Sequence, residues 1–173
     1  AGPTMEQPKV DPAPRTASTR ETMTDKVPQA RVYRAWNTAE YGQADVERLQ
    51  LLSQVLGGSR SSRLDKRLVF QDKLADNVST AAWSSLLGGL FFIQVDVKQG
   101  VDVATVEKAL DEELAKLLAE GPTASELEQA RTVFKAGFVR GIERNEGGGD
   151  VVGGDHAVDE ADPLVGDLIA MLA

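Results

Sequence analysis

Cysteine is absent from the 173 residues, and histidine occurs once, as His156. The first absence excludes disulfides, thiolate metal sites and thiol nucleophiles, while leaving the compartment open. The second argues against a zinc site held by this chain. Catalytic zinc takes several convergent ligands, and one imidazole leaves the ion mostly hydrated. No apolar run approaches the ~20 residues that cross a bilayer, so membrane insertion is not expected. The opening "AGPTMEQPKVDPAP" lacks a basic stretch followed by an apolar one, so it is not read as a secretory signal. It reads more as a chain cut from something longer, although a mature or engineered N-terminus would look the same.

What is present is ordinary for a soluble globular domain: 42% hydrophobic and 27% charged residues, in a length that suits one domain with a real core. The net charge of −8 lacks the basic footprint of a nucleic-acid binder, and phosphate backbones would be repelled. The excess is local. Residues 147–173 hold Asp150, Asp155, Asp159, Glu160, Asp162 and Asp167 with no Lys or Arg.

Three regions follow from composition. Residues 1–26 carry four prolines and no aromatic residue, and read as a linker or disordered segment. Residues 27–146 hold the periodic segments of one α+β domain. Residues 147–173 form a Gly- and Asp-rich acidic tail with material for one short terminal helix.

Within the domain, "KVPQARVYRAW" (Lys26–Trp36) predicts a strand with Val32 and Trp36 on one face and Arg31 and Tyr33 on the other. Val46, Leu49, Leu52, Val55 and Leu56 recur at helical spacing from Asp45 until Gly57-Gly58. A shorter helix is expected after a Ser61 or Ser62 cap, with Leu64, Leu68 and Phe70 inward. "LADNVSTAAW" and the alternating "GLFFIQVDVK" predict an antiparallel hairpin. Asp102 is expected to cap a helix with Val103, Val106, Leu110, Leu114, Leu117 and Leu118 inward, ended by Gly121-Pro122. Thr123 and Glu126 form a capping box, opening a helix with Leu127, Ala130, Phe134, Phe138 and Ile142 inward. The β-α-α-β-β-α-α order predicts a mostly antiparallel sheet covered on one face by helices.

Reaction chemistry is hard to find. His156 in a polar, Gly-rich tail reads as solvated, and its acidic neighbours lack the spacing of a calcium loop. Ser59, Ser61 and Ser62 have no base near them in sequence. "LGGSRSSRL" could cradle a phosphate on glycine amides with Arg60 or Arg63, but no phosphate-loop motif is present. The competing reading is a helix stop followed by a capped helix. Glu112, Glu113, Glu126 and Glu128 lie on helix faces expected to be solvated. The residues alone therefore describe a binding or structural module.

The ordered set "VPQARVYRAWNTAEYGQADVERLQLLSQVLGGSRSSRLDKRLVFQDKLADNVS", "FFIQVDVKQGVD" and "GPTASELEQARTVFKAGFVRGIER" resembles the second, non-catalytic domain of pitrilysin/insulinase-type zinc peptidases. It is similar also to mitochondrial-processing-peptidase-type domains. The resemblance spans about residues 27–144. It implies a clamshell-domain fold and a zinc ion held elsewhere, in a partner catalytic domain or subunit carrying H-x-x-E-H, a motif that one histidine cannot make. No cofactor is then expected in this chain, which would itself be inactive. It would form part of the chamber around a peptide or protein substrate and dock to the zinc-bearing partner. Relatives of this type are often exported, which implies a periplasmic setting.

In active relatives the non-catalytic domain lends an Arg and a Tyr, seven residues apart, to grip substrate. The resemblance places Val69 at the Arg position and Asp76 at the Tyr position, so both roles are lost in that register. Arg60, Arg63 and Arg67 remain as candidate contacts to substrate or partner. Arg67 would reach the Arg position only by a two-residue slip, and no Tyr follows to accompany it. A stand-alone protein-interaction module pairing through an exposed sheet edge is the alternative from a different class.

Overall fold

The structure is a computed structural model and describes residues 17–38 and 40–144. Seven elements follow in order: strand β1 (Arg31–Thr38), helix α1 (Ala44–Leu56), a π-helix (Asp65–Gln71), strands β2 (Ala75–Ser85) and β3 (Gly88–Val97), and helices α2 (Val103–Glu120) and α3 (Ala124–Arg144). The order is the expected one, and the fold is a mixed α+β arrangement around an antiparallel sheet.

The three strands run in the order β1-β3-β2, every pairing antiparallel. Alternation decides the faces. Phe91, Ile93, Val95 and Val97 of β3 are buried, and the register sets Val32 and Val78 on either side of Val95, and Trp36 and Ala82 on either side of Phe91. Trp36 and Phe91 meet as tilted rings 5.9 Å apart. The intervening residues, Tyr33, Ala35, Ala81, Trp83, Leu90, Phe92 and Gln94, point to the opposite face.

β1 starts at Arg31, not at Lys26 as expected. Its last partner beyond Arg31 is Val97, whose amide donates to Ala30 O at 2.9 Å. Past that point β3 gives way to a turn at Gly100, φ +84°, leaving nothing for earlier residues to pair with. Residues 17–30 form neither helix nor strand, and Arg20 pairs with Glu107 of α2 at 2.9 Å.

The helices supply the other half of the core. Val46, Leu49, Leu51, Leu52, Val55 and Leu56 of α1, Leu64 and Leu68 from the π-helical segment, Val106, Ala109, Leu110 and Leu117 of α2, and Ala130 of α3 are all buried. One hydrophobic cluster joins most of them to the inner sheet face, with Leu114, Leu127 and Phe134 packed against it. Leu118 is only half-buried and lies outside that cluster. The side chains of Phe138 and Ile142 lie outside the described residues.

Two capping expectations meet different outcomes. The Thr123–Glu126 box forms in both directions: the Thr123 amide donates to Glu126 Oε2 at 2.8 Å, and the Glu126 amide to Thr123 Oγ1 at 3.3 Å. Asp102 sits at the cap position of α2, but its carboxylate accepts from the Thr105 hydroxyl at 3.4 Å and caps no amide.

Candidate functional site

The segment from the end of α1 to the start of β2 holds the candidate contacts Arg60, Arg63 and Arg67 and the flagged positions Val69 and Asp76. α1 ends because Gly57 lets the chain pass hard against β2. A Cβ there would lie 2.8 Å from both Cγ2 and Oγ1 of Thr80. The Ser53 carbonyl accepts twice at this junction, from the Gly57 amide at 2.9 Å and from the Thr80 hydroxyl at 2.6 Å. Gly58 then turns with φ +86°, a region that disfavours side chains.

Three serines follow and bond one another. Ser59 Oγ lies 3.0 Å from Ser61 Oγ and 2.7 Å from Ser62 Oγ. Ser62 Oγ donates back to Gln54 O at 3.1 Å, which ties the loop to α1 where a capping bond was expected. Gln129 of α3 donates to Ser61 Oγ. None of these hydroxyls is hydrogen-bonded to a carboxylate or an imidazole.

The amides suggested for phosphate are already occupied. The Asp65 carboxylate accepts from the backbone of Gly58 and Ser59, and burial, the largest influence on it, pushes its pKa above the usual range. One of its oxygens, Oδ2, is buried without a partner. The loop thus supplies its own anion. Sequence reading missed Asp65; its position three residues after Ser62 at a helix start was the available signal.

From Asp65 the backbone winds as a π-helix. The Asp72 amide bonds Arg67 O, five residues back, at 2.9 Å, and Leu74 bonds Leu68 O, six back, at 2.8 Å. Leu64 and Leu68 both reach the core at 0% exposure, whereas Phe70, expected inward, is 44% exposed. Two residues beyond Leu68 a side chain comes round to roughly the opposite side of any helix. There Phe70 receives the Arg60 guanidinium over its ring at 5.3 Å.

Arg63 has a different place from the one expected of a substrate contact. It is 8% exposed and gives Nε to Glu126 Oε1 at 2.7 Å, Nη2 to Glu126 Oε2 at 2.8 Å and Nη2 to Gly121 O at 2.9 Å. Glu126 is therefore no solvated surface carboxylate. The Arg63 guanidinium, with Thr123, holds its pKa down to about 2. Arg67 is held as well, by Asp72 at the end of its own helix and by Glu112 of α2 at 3.0 Å. Arg60, by contrast, is exposed beyond its contact with Phe70.

The two positions flagged by resemblance part company. Val69 is half-buried and packs against the core. Asp76 is exposed and sits in a β-bulge, since Ala75 pairs with Val97 and Asn77 with Asp96. His156 lies outside the described residues. Among the described residues no group of three or more His, Cys, Asp or Glu could hold a metal, and one histidine in the chain does not make a zinc donor set. None of the described helices is long and apolar enough to cross a membrane.

Comparison with known proteins gives this arrangement a context. The family model described as the peptidase M16 inactive domain matches residues 2–134. No curated protein matches the chain. Among solved structures, an inactive peptidase domain from Bordetella parapertussis superposes with TM-score 0.67 at 22% identity, covering 87% of this chain and 91% of that one. A protease from Helicobacter pylori gives TM-score 0.64 at 23% identity over 69% of this chain. The chain spans 29% of the length of that protease. A chain of complex III2 from Candida albicans gives TM-score 0.59 at 12% identity, covering 69% of this chain and 30% of that one. At these identities the likeness is one of fold.

Proposed function

The chain belongs to the family of peptidase M16 inactive domains, and from that premise we propose that it serves as a non-catalytic domain of a zinc metallopeptidase. It forms one wall of the chamber around a peptide substrate and docks to the domain or subunit that holds the metal. The observation that carries this reading is the family match across residues 2–134.

The geometry of the candidate segment supports the same division of labour. The arginines nearest the substrate-gripping position, Arg63 and Arg67, are engaged by Glu126, Asp72 and Glu112. Val69 offers no donor, and Asp76 would repel a developing oxyanion. What such a domain contributes is confinement and orientation of substrate, and positioning alone lowers reaction barriers substantially. When bound in the partner, zinc would supply Lewis-acid chemistry and an activated water.

Two measurements test this. Incubated with zinc and an unstructured protein such as casein, the isolated chain should release no peptides. Mixed with a zinc-bearing M16 subunit from the same cell, it should co-elute and raise that subunit's turnover. Zinc-dependent cleavage by the chain alone, abolished by His156→Ala, would refute the reading.

A further inference from the structure

The chain has nine aromatic residues, two Trp, two Tyr and five Phe, and three of them stand on the sheet face that no described helix covers. Trp83 is 65% exposed and Tyr33 59% exposed. Phe92 lies between them, meeting Trp83 edge-on at 5.3 Å. Ala35 and Ala81 flank Phe92 on the neighbouring strands. At the hairpin tip beyond Trp83, Leu86 and Leu87 are 67% and 49% exposed.

From this face we infer that the chain pairs with a second copy of itself, two sheets stacked open face to open face. Trp83, Tyr33, Leu86 and Leu87 together leave roughly 500 Å² of residue surface in water. A stable dimer buries about 800 Å² per partner, with an apolar centre and a polar rim. The exposed side chains supply more than half of that, and Ser79, Gln94 and the two alanines lie where the rim and remaining contact fall. Stacked sheets pack about 10 Å apart, within reach of interdigitating aromatic rings.

Charge on the described residues does not oppose a like partner. The acidic excess lies mainly outside the described residues; residues 17–144 carry 17 Lys and Arg against 18 Asp and Glu. Arg31 and Asp96, which lie on the open face, are tied to each other at 2.6 Å. Within residues 17–144, two copies therefore meet with charge nearly balanced, against the −8 of the whole chain. A two-fold axis near Phe92 lays the Trp83 end of one sheet over the Arg31–Tyr33 end of the other. The sheet edges are poorer candidates, because the Asp76 bulge breaks the outer edge of β2 and Arg31 and Arg34 stand along β1.

This pairing needs no peptidase partner, so its failure and the failure of the docking reading are separable. Sedimentation velocity of the full chain between ~1 and ~200 µM should show a monomer–dimer equilibrium. Trp83→Glu and, separately, Leu86→Asp should each weaken it about tenfold or more. Both sites are exposed, so circular dichroism melts of the dilute variants should match the parent. A chain that stays monomeric throughout, or a dimer indifferent to both substitutions, overturns the inference. So does a chain that is monomeric alone yet captures a co-expressed zinc-bearing M16 subunit through Trp83, which gives the face to that partner.

Discussion

At Glu126 two demands meet on one carboxylate. It closes the capping box of α3 and receives both arms of a buried arginine from another element. Its folded pKa of about 2 lies below the ordinary 4.5, so the stability it lends is present above the unfolded value and lost as pH falls toward 2. Glu126→Gln keeps the shape but leaves the Arg63 charge buried and unneutralised. The expected cost is about 3 kcal/mol at pH 7, read by denaturant unfolding. The gap to the parent should close steadily between about pH 5 and pH 2; a gap that persists at pH 2 would show that the ion pair is not its source.

At the scale of elements, the joint between α1 and β2 depends on a missing methyl. Gly57→Ala puts a carbon 2.8 Å from Thr80, and relieving that overlap should cost about 2 kcal/mol. Thr80→Ala removes the clashing atoms together with the bond to Ser53 O, at about 1 kcal/mol. The double variant should then be more stable than the sum of the single losses implies, as a double-mutant cycle by chemical denaturation would show. Additive losses would mean that the two sites do not touch.

Sequence periodicity reached most of these elements because it records burial directly. The stripes of α1 and α2 and the alternation of β3 are visible to it, and so is the Thr123–Glu126 box. It failed where backbone winding or long-range pairing decides the outcome. The five-residue hydrogen-bond spacing of the π-helix and the bulge at Asp76 leave no periodic trace, whereas the outward Phe70 was legible in its two-residue offset from Leu68. The roles of Asp65 and Arg63 depend on partners brought in by the fold, Arg63's being 58 and 63 residues away. Residue type alone made Arg63 look like a surface contact, when its charge is consumed inside.

For the whole molecule, self-association has a thermodynamic signature beyond the sedimentation boundary. A dimer that forms only from folded chains draws the folding equilibrium toward itself, so the melting midpoint depends on protein concentration. Scanning calorimetry at two concentrations about a hundredfold apart should separate the midpoints by several degrees. Trp83→Glu should narrow that separation. A concentration-independent midpoint for the parent would argue that the open face is vacant in solution.

The placement of β3 between its two neighbours also sets an order of assembly. Ser85 and Gly88 are three positions apart when they pair, whereas Trp36 and Phe91 are separated by 55. Closing the short loop is cheap in chain entropy, and closing the long one pays off only once its contacts are in place. The hairpin of β2 and β3 is thus the template, and β1, first to emerge from the ribosome, is the last strand to find its place. Until it does, one edge of β3 stands unpaired beside a row of inward-facing apolar side chains, which makes that interval the one in which a nascent chain is most exposed to misassembly.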